Sequence, residues 1–489
     1  MLFNSHIFML LFLPLLLAGW YFLNWKKKFQ LAQGYLIGMS LWFYAYANLQ
    51  YLWLLLFSCL IGWLLSCLPE KISLEKGKKV LTGVGCVFHL GLLGYFKYSN
   101  FFLENLNTVF HTDFPMLQIL LPVGISFYTF QQLAYLIDRC RGDAPRDSFF
   151  DYLTFMVYFP QLLQGPILLR SEFMEQLKEP ERRRFHAERF SEGIQFFVFG
   201  LAKKVLLADT LAKAVNYGYS NVSMLDSISA LLLAVGYLTE LYFDFSGYCD
   251  MAVGLGKMIG LEVAENFDAP FHSASVKEFW RRWHMTLGRF FTRYVYIPLG
   301  GNRRGKMRTL CNVMIVMLLS GLWHGAAWTF VLWGFLHGVG MIWDNLEHPH
   351  LPKKWMRQAA TFAYVCMTFV FFRAESIEQG VDVLKSIVSL KWNGFVFQMA
   401  SALDLTEFYM ITKALSMKLP GLLSWFWLGI FVVLIAICFR VLSGEKVSGV
   451  VALQRQKGYG RLYPVLLAVL FTWSMISMTG VSEYLYFSF

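Results

Sequence analysis

The feature that most constrains the fold of this chain is a series of apolar runs, most of them long enough to cross a lipid bilayer as a helix. A span needs about 17–25 residues at a rise of about 1.5 Å per residue. Such runs lie at 6–24, 31–48, 50–68, 79–98, 191–209, 227–245, 359–373, 422–439 and 463–480, with further apolar stretches at 116–138, 150–169 and 309–343. The sequence therefore predicts an all-α polytopic membrane protein with roughly 11 or more membrane segments.

Composition supports this class. Only 15% of the 489 residues are charged, whereas soluble domains carry about 25%. The net charge is +11, but the basic residues form short clusters between apolar runs, which is typical of headgroup contacts and topology signals rather than nucleic-acid binding. The eight cysteines form no CxxC pair, so the spacing predicts neither a metal site nor a disulfide framework.

The lysine clusters predict an orientation. "NWKKKF" and "KISLEKGKK" flank the first and third spans, whereas "ANLQ" between the second and third spans is uncharged. The positive-inside rule then places both lysine clusters in the cytosol and the N-terminus outside. "RQKGYGR" before the last span places the C-terminus outside as well. The first apolar run lacks a basic n-region and a cleavage site, so we interpret it as a retained span.

In the middle of the chain, successive loops do not alternate between the two sides of the membrane as they would around simple spans. "DRCRGDAPRD" and "RSEFMEQLKEPERRRFHAER" both have cytosolic character, yet only the run 150–169 lies between them. That run contains "FPQLLQGP", whose prolines and glycine interrupt a helix. Broken backbone at membrane depth requires a protein or watery environment, so we expect a re-entrant element beside an internal pocket. Residues 374–421 are expected to form an extracytoplasmic loop with interfacial helices.

A basic aromatic segment occupies 277–308, "KEFWRRWHMTLGRFFTRYVYIPLGGNRRGKMR". Interpreted as one helix, it places aromatic residues on one side and arginines around the others. Its charges exclude a simple span and favour the cytosolic interface, where guanidinium groups meet headgroups or an anionic ligand. His284 within it is either one polar residue of a surface helix or part of a site.

Two acids, Asp244 and Asp250, stand at the end of an apolar run or shortly after it. Acids inside a membrane are costly and often functional, whereas acids at a helix end can be solvated, and the sequence leaves both interpretations open. The nearby "GLGKMIG" lacks the strand–turn–helix context of a phosphate loop, so we exclude a nucleotide site.

A second histidine, His324, lies in "SGLWHGAAWTF" between Gly321 and Gly325. The flanking half-runs of about 17 residues barely cross a bilayer, so this hinge is expected within the membrane. A neutral imidazole there can accept a proton from a hydroxyl and return it to a leaving group. It can equally be a packing residue bonded to a backbone carbonyl, and His337 in "GFLHG" has similar apolar surroundings.

Six stretches together resemble the membrane-bound O-acyltransferase family, most closely its bacterial branch of alginate O-acetyltransferase-like proteins. The stretches are "LLPVGISFYTFQQLAYLID" (120–138), "YFPQLLQGPIL" (158–168), "YFDFSGYCDMAVGLGKMIG" (242–260), "ENFDAPFHSASVKEFWRRWHMTLGRFFTRYVYIPLGGNR" (265–303), "SGLWHGAAWTFVLWGFLHG" (320–338) and the C-terminal "YLYFSF". Cys249 and Met285 depart from the family pattern, but neither is one of the histidines.

The resemblance implies one acyltransferase domain over 1–489: a helical bundle with re-entrant and in-plane helices around a transmembrane tunnel. N-terminal spans would occupy 1–110, the catalytic core about 116–345 and C-terminal spans 358–489. It implies transfer of an acyl group, here acetyl, from a cytosolic thioester such as acetyl-CoA to an extracytoplasmic glycan, directly or through an SGNH-type partner protein. It also implies a bacterial cytoplasmic membrane location and no bound cofactor or metal.

The family's histidines carry over to His324 and His284. We expect His324 to act as general base on the acceptor hydroxyl and His284 to orient the donor or stabilise oxyanion charge. Other side chains are assigned supporting roles. The donor phosphates are expected to pair with Arg281, Arg282 and Arg289, and water is expected to be excluded by Trp283, Trp323 and Trp328.

Two rival functions remain at this stage. D-alanyl transfer to teichoic acid belongs to the same family, and the motifs from "FDFSGY" to "YIPLGGNR" favour the acetyltransferase branch. A transporter or flippase also suits a hollow bundle with broken helices and buried acids. The two halves of the chain show no inverted repeat, which counts against that class.

Overall fold

The computed structural model describes residues 1–68, 75–346, 353–442, 446–457, 460, 462–478 and 484–485. Over these residues the chain is helical and contains no strand, which confirms the all-α class. Six of the described helices are long and apolar enough to cross a membrane. They cover Phe8–Trp25, Leu49–Cys67, Lys76–Phe110, Ser227–Ile259, Lys306–His324 and Pro420–Leu442.

The N-terminal helices form the first layer of the bundle. They are α1 (Leu13–Trp25), which continues a π-helical turn at Phe8–Phe12, α2 (Phe29–Cys67), α3 (Glu75–Leu93) and α4 (Ser99–Phe110). A second π-helical turn, Gly94–Tyr98, joins α3 to α4. Residues 71–74 of "KISLEKGKK" and residues 486–489 of the C-terminal "YLYFSF" lie outside the described residues.

Both ends of α2 contact the same short segment of the chain, 147–151. Near its start, Gln33 Nε2 donates to Asp151 Oδ1 at 2.9 Å, and near its end Trp63 Nε1 donates to the carbonyl oxygen of Asp147 at 3.1 Å. Thirty residues of straight helix would separate these two side chains by about 45 Å, whereas Asp147 and Asp151 are four positions apart. The contacts therefore agree with two separate spans, and both ends of α2 lie on one side.

The predicted re-entrant element is confirmed. It consists of α6 (Phe149–Val157), α7 (Phe159–Leu162) and an extended return to α8 (Arg170–Lys178), following α5 (Ile125–Arg141). Arg170 Nε, at the end of this element, lies 2.7 Å from Asp147 Oδ2, just before its start. The chain therefore enters and leaves the bundle at the same place. Residues 154–168 are buried throughout, which supplies the protein environment that irregular backbone needs.

Basic residues gather at this same side of the bundle. The carbonyl oxygen of Phe29, next to the lysines at 26–28, accepts from Arg183 at 3.3 Å. Arg289 pairs with Glu172 of α8, and Arg293 pairs with Asp138 of α5 at 3.0 Å. We call this surface, defined by 26–28 and by Arg170, Arg183, Arg289 and Arg293, the basic face.

Two central helices pack through glycines. Helix α9 (Ala187–Ala202) continues through a π-helical turn, Lys203–Ala208, into α10 (Asp209–Ser220), and α11 (Ser227–Ile259) lies against it. A Cβ on Gly200 would lie 2.5 Å from the Gly247 carbonyl oxygen, so only glycine permits this approach. Because α11 extends to Ile259, Asp244 and Asp250 lie inside the helix. Of the two interpretations left open by the sequence, that of solvated acids at a helix end is therefore wrong.

The single helix expected over the basic aromatic segment is also wrong. The segment forms α12 (Val276–Arg282) and α13 (Met285–Phe291), followed by a π-helical turn at Thr292–Tyr296. The cause of the break is competing backbone pairing, since Asp268 N donates to the Arg282 carbonyl and Met285 N to the Asn266 carbonyl, both at 2.9 Å. His284 lies in this break.

The remaining helices complete the bundle. They are α14 (Lys306–His324), α15 (Trp328–Asn345), α16 (Lys354–Arg373), α17 (Ile377–Val388), α18 (Phe395–Ser401), α19 (Tyr409–Lys418), α20 (Pro420–Leu442), α21 (Val447–Lys457) and α22 (Leu462–Ser477). Short helices occupy 374–421, as expected, and the side of the membrane on which they lie stays a prediction.

Candidate active site

The hinge between α14 and α15 holds His324 inside the bundle. His324 is the last residue of α14, and its side chain is 3% exposed. Gly325 continues with extended backbone so close to the Phe330 ring that a Cβ would overlap it. The chain therefore turns tightly after His324 and leaves the imidazole directed into protein rather than lipid.

His284 is held in the break between α12 and α13. Its backbone is left-handed, with φ of 46°, and its side chain is fully buried. A non-glycine residue in such a conformation costs about 1–3 kcal/mol and persists where the surroundings fix it, often at functional sites. The sequence pattern, interpreted as one helix, gave no sign of this conformation.

The structure brings the two histidines together. Their ring centroids lie 6.5 Å apart, although the residues are 40 positions apart in the chain. Trp323 contacts both rings, at 6.1 Å from His284 and 4.9 Å from His324. Other aromatic rings complete the enclosure: Phe245 against His284, and Trp333 and Phe372 against His324.

Asn266 fixes the tautomer of His284. Its Oδ1 accepts from the Thr286 backbone N–H at 3.1 Å and lies 3.2 Å from His284 Nδ1. Because a carbonyl oxygen only accepts, Nδ1 must carry the proton, which leaves a lone pair on Nε2. Among the described residues Nε2 has no hydrogen-bond partner, although it is buried. The arrangement presents a proton acceptor inside the bundle.

We expect Asn266→Leu to lower kcat by about tenfold or more while the donor KM changes little, since loss of the Oδ1 contact frees both the tautomer and the ring orientation of His284. Asn266→Asp retains an acceptor at this position and serves as the matched control. Steady-state kinetics on purified protein checks the prediction, and an unchanged kcat in a folded Asn266→Leu variant would contradict it.

The three tryptophans assigned to water exclusion have different positions. Trp323 contacts both histidines, as described above. Trp283 is 1% exposed and stacks on Phe279 at 5.3 Å, behind the histidine pair. Trp328 is 57% exposed and donates to Asn105 at 2.8 Å, so its expected role as a wall of the site is wrong. The first turn of α15 directs Trp328 outward although it is only four residues from His324.

Two of the three arginines assigned to the donor are already paired. Arg282 donates to Glu278 at 2.9 Å, and Arg289 forms two hydrogen bonds with Glu172 and one with the Ile167 carbonyl at 3.1 Å. Arg289 thereby joins α13 to the end of the re-entrant element. Arg281, in contrast, is exposed.

Asp244 and Asp250 are each paired with a lysine from the π-helical turn after α9. Lys204 Nζ lies 2.5 Å from Asp244, and Lys203 Nζ lies 2.6 Å from Asp250. These lysines were not identified from the sequence, and their only signal was a "KK" pair inside the apolar run 191–209. Both acids therefore join α11 to α9. Asp250 also lines the larger of the two cavities described below, whereas Asp244 does not.

His337, the other histidine in apolar surroundings, is a satisfied packing residue. Its Nδ1 accepts from Trp280 Nε1 at 3.2 Å, and its Nε2 lies 2.9 Å from Thr368 Oγ1. Both ring nitrogens are thus occupied by protein groups. His337 therefore differs from His284, whose Nε2 has no partner among the described residues. The sequence alone did not show this difference.

Two cavities approach the site. One of about 1120 Å³ lies between α9 and α11 on one side and α20 and α22 on the other, and its lining includes Cys249 and Asn266. The other, of about 40 Å³, is lined by His324, Lys97 and the residues before α5. The histidine pair thus has a cavity near each member, and the continuous tunnel stays a prediction.

Comparisons with known proteins identify the family of the chain. Residues 143–377 match the model of the membrane-bound O-acyltransferase family. A peptidoglycan O-acetyltransferase of Helicobacter pylori is 36% identical over 423 residues, 80% of each chain. An Azotobacter vinelandii protein named "Probable alginate O-acetylase AlgI" is 39% identical over 77% of this chain and 76% of its own. A teichoic acid D-alanyltransferase of Streptococcus thermophilus is 28% identical over 49% of this chain and 58% of its own. The chain belongs to the membrane-bound O-acyltransferase family and is an O-acyltransferase.

Proposed function

We propose that this protein transfers an acetyl group from a cytosolic thioester donor to a hydroxyl of an extracytoplasmic glycan, directly or through an SGNH-type partner protein. The observation that carries the proposal is the pair of buried imidazoles at His284 and His324, 6.5 Å apart. Two relatives that align over most of the chain are named for O-acetylation of peptidoglycan and of alginate.

The reaction moves one acetyl group and one proton. His324 takes the proton of the acceptor hydroxyl while the hydroxyl oxygen attacks the thioester carbonyl. The carbon–sulfur bond then breaks, and the leaving thiolate receives the proton, which gives an acetyl ester and a free thiol. His284 offers a lone pair at Nε2, so it is a second proton acceptor and stabilises an oxyanion only as the imidazolium.

The donor, acetyl-CoA or another acyl thioester, enters from the cytosolic side. Its phosphates are anionic, and charge-assisted contacts from arginine suit them. Arg281 is the exposed arginine of α12, next in the chain to Arg282 and three positions before His284. Arg282 and Arg289 form salt bridges within the protein, which gives them a positioning role. Of the three arginines assigned to the donor, Arg281 is therefore the one available to bind its phosphates.

The basic face is cytosolic, and the protein lies in the bacterial cytoplasmic membrane with both termini outside. We expect a cysteine introduced at Lys27 to resist an impermeant maleimide added to intact cells, on a cysteine-depleted background. A cysteine at Asp113, in the exposed loop after α4, is expected to react. Labelling at position 27 from outside, with position 113 protected, would reverse the orientation.

The experiment that tests the proposed function measures ester-linked groups on the cell-envelope and exported glycans of a strain lacking this gene. We expect acetyl esters to fall in the deletion strain and to return with the wild-type gene. The alternative, D-alanyl transfer, is favoured only by relatives that align over about half of the chain. Loss of D-alanyl esters with unchanged acetyl esters would establish that alternative instead.

A further inference from the structure

Lys97 is a lysine in the middle of a long apolar helix, and its ammonium group lies at the end of the helix that carries His324. It belongs to the π-helical turn Gly94–Tyr98. Its Nζ donates to the carbonyl oxygens of Trp323 at 2.7 Å and His324 at 2.9 Å, and lies 3.5 Å from Ser126 Oγ. No carboxylate within the described part of the chain pairs with it.

These contacts complete the C-terminal cap of α14. The last four carbonyls of a helix lack partners within the helix and must find donors elsewhere. The Leu322 carbonyl accepts from Tyr98 Oη at 2.6 Å, and the Gly321 carbonyl accepts from the Gly325 N–H at 3.3 Å. Lys97 supplies the donors for the remaining two. Its positive charge also lies at the negative end of the α14 dipole, which favours this placement.

We infer that Lys97 is a positioning residue of the acyl-transfer site, which fixes the backbone of His324, and through it the imidazole, to the unit formed by α3 and α4. The inference rests on the role proposed above for His324. A cavity of about 40 Å³ lies beside both residues, so the last turn of α14 has room to shift if the cap is lost. Misplacing a catalytic group by about 1 Å can cost on the order of 100-fold in rate.

The test compares Lys97→Met with Tyr98→Phe, which removes a neighbouring cap but leaves the donors to His324 in place. The full-length proteins are purified in detergent and assayed with acetyl-CoA as donor and a cell-envelope extract of the deletion strain as acceptor. We expect Lys97→Met to lower kcat at least tenfold with donor KM within twofold of wild type. Lys97→Arg, which retains the charge and the donors, is expected to recover most of the loss.

Tyr98→Phe is expected to lower the melting temperature while keeping kcat within twofold. The inference is overturned if Lys97→Met has a normal kcat, or if Tyr98→Phe lowers kcat as much as Lys97→Met does. If Lys97→Met does not fold, Lys97→Gln replaces it, because its shorter side chain stays polar but cannot reach both carbonyls. An active His324→Ala would remove the role proposed for His324, and unchanged acetyl esters in the deletion strain would remove the proposed function. An inactive His324→Ala with a normal Lys97→Met would remove only this inference.

Discussion

Replacing His324 with alanine is expected to lower kcat by about 100- to 10,000-fold, the contribution typical of a positioned general base. The donor KM should change little, because the imidazole accepts a proton in the transition state and does not bind the donor. Acetyl esters formed by purified protein measure the effect, and protein abundance in the membrane reports whether the variant folds.

The matched control is His337→Ala on the neighbouring helix. His337 is as deeply buried as His324, but both its ring nitrogens are bonded to Trp280 and Thr368. Its loss leaves Trp280 Nε1 without its acceptor, at about 1–3 kcal/mol, whereas Thr368 Oγ1 still donates to the Val365 carbonyl at 2.8 Å. We therefore expect lower stability with kcat of the same order as wild type. Equal loss of kcat in both variants would assign His324 a packing role.

Replacing Lys204 with methionine is expected to lower the free energy of unfolding by about 3–5 kcal/mol, because a buried carboxylate is left without its cation. Lys204 is 2% exposed and pairs with Asp244 at 2.5 Å and with Asp209 at 2.8 Å. Thermal or denaturant unfolding in detergent measures the loss. The double variant Lys204→Met/Asp244→Asn should recover part of it, since the remaining partner, Asp209, is 24% exposed.

Lys385→Met provides the comparison for an exposed pair. Lys385 lies 3.1 Å from Asp382, and its side chain is 71% exposed. Exposed pairs contribute about 0.2–1 kcal/mol, so this variant should unfold almost as the wild type does. If Lys204→Met also unfolded as the wild type does, the buried pairs would not be what joins α9 to α11.

The sequence predicted those features of the fold that depend on local hydrophobicity and breakers. The apolar runs located most of the long helices, and "FPQLLQGP" located the re-entrant element because proline and glycine act on their own backbone. The position of His324 followed from the length of the half-runs around it. Each of these conclusions needed only residues close together in the chain.

Features that depend on distant partners could not be predicted in this way. The break at His284 arises from backbone pairing with 266–268, so the periodicity of 277–308 alone suggested one helix. The partner of Asp244 is 40 residues away, and that of His324 is Lys97, 227 residues away. Nearness in the chain can also mislead. Trp328 is four residues from His324, but the first turn of α15 directs it outward, so it does not form a wall of the site.

A transport assay with a doubly labelled donor shows whether the acetyl group crosses the membrane without the rest of the donor. The protein is reconstituted in vesicles that enclose a cell-envelope extract, which supplies the glycan and any partner protein. Acetyl-CoA is added outside, with one isotope in the acetyl group and another in the adenine. We expect acetyl esters inside the vesicles, adenine label only outside, and neither label inside with His324→Ala. Entry of both labels together, or esters formed equally by His324→Ala, would contradict this expectation.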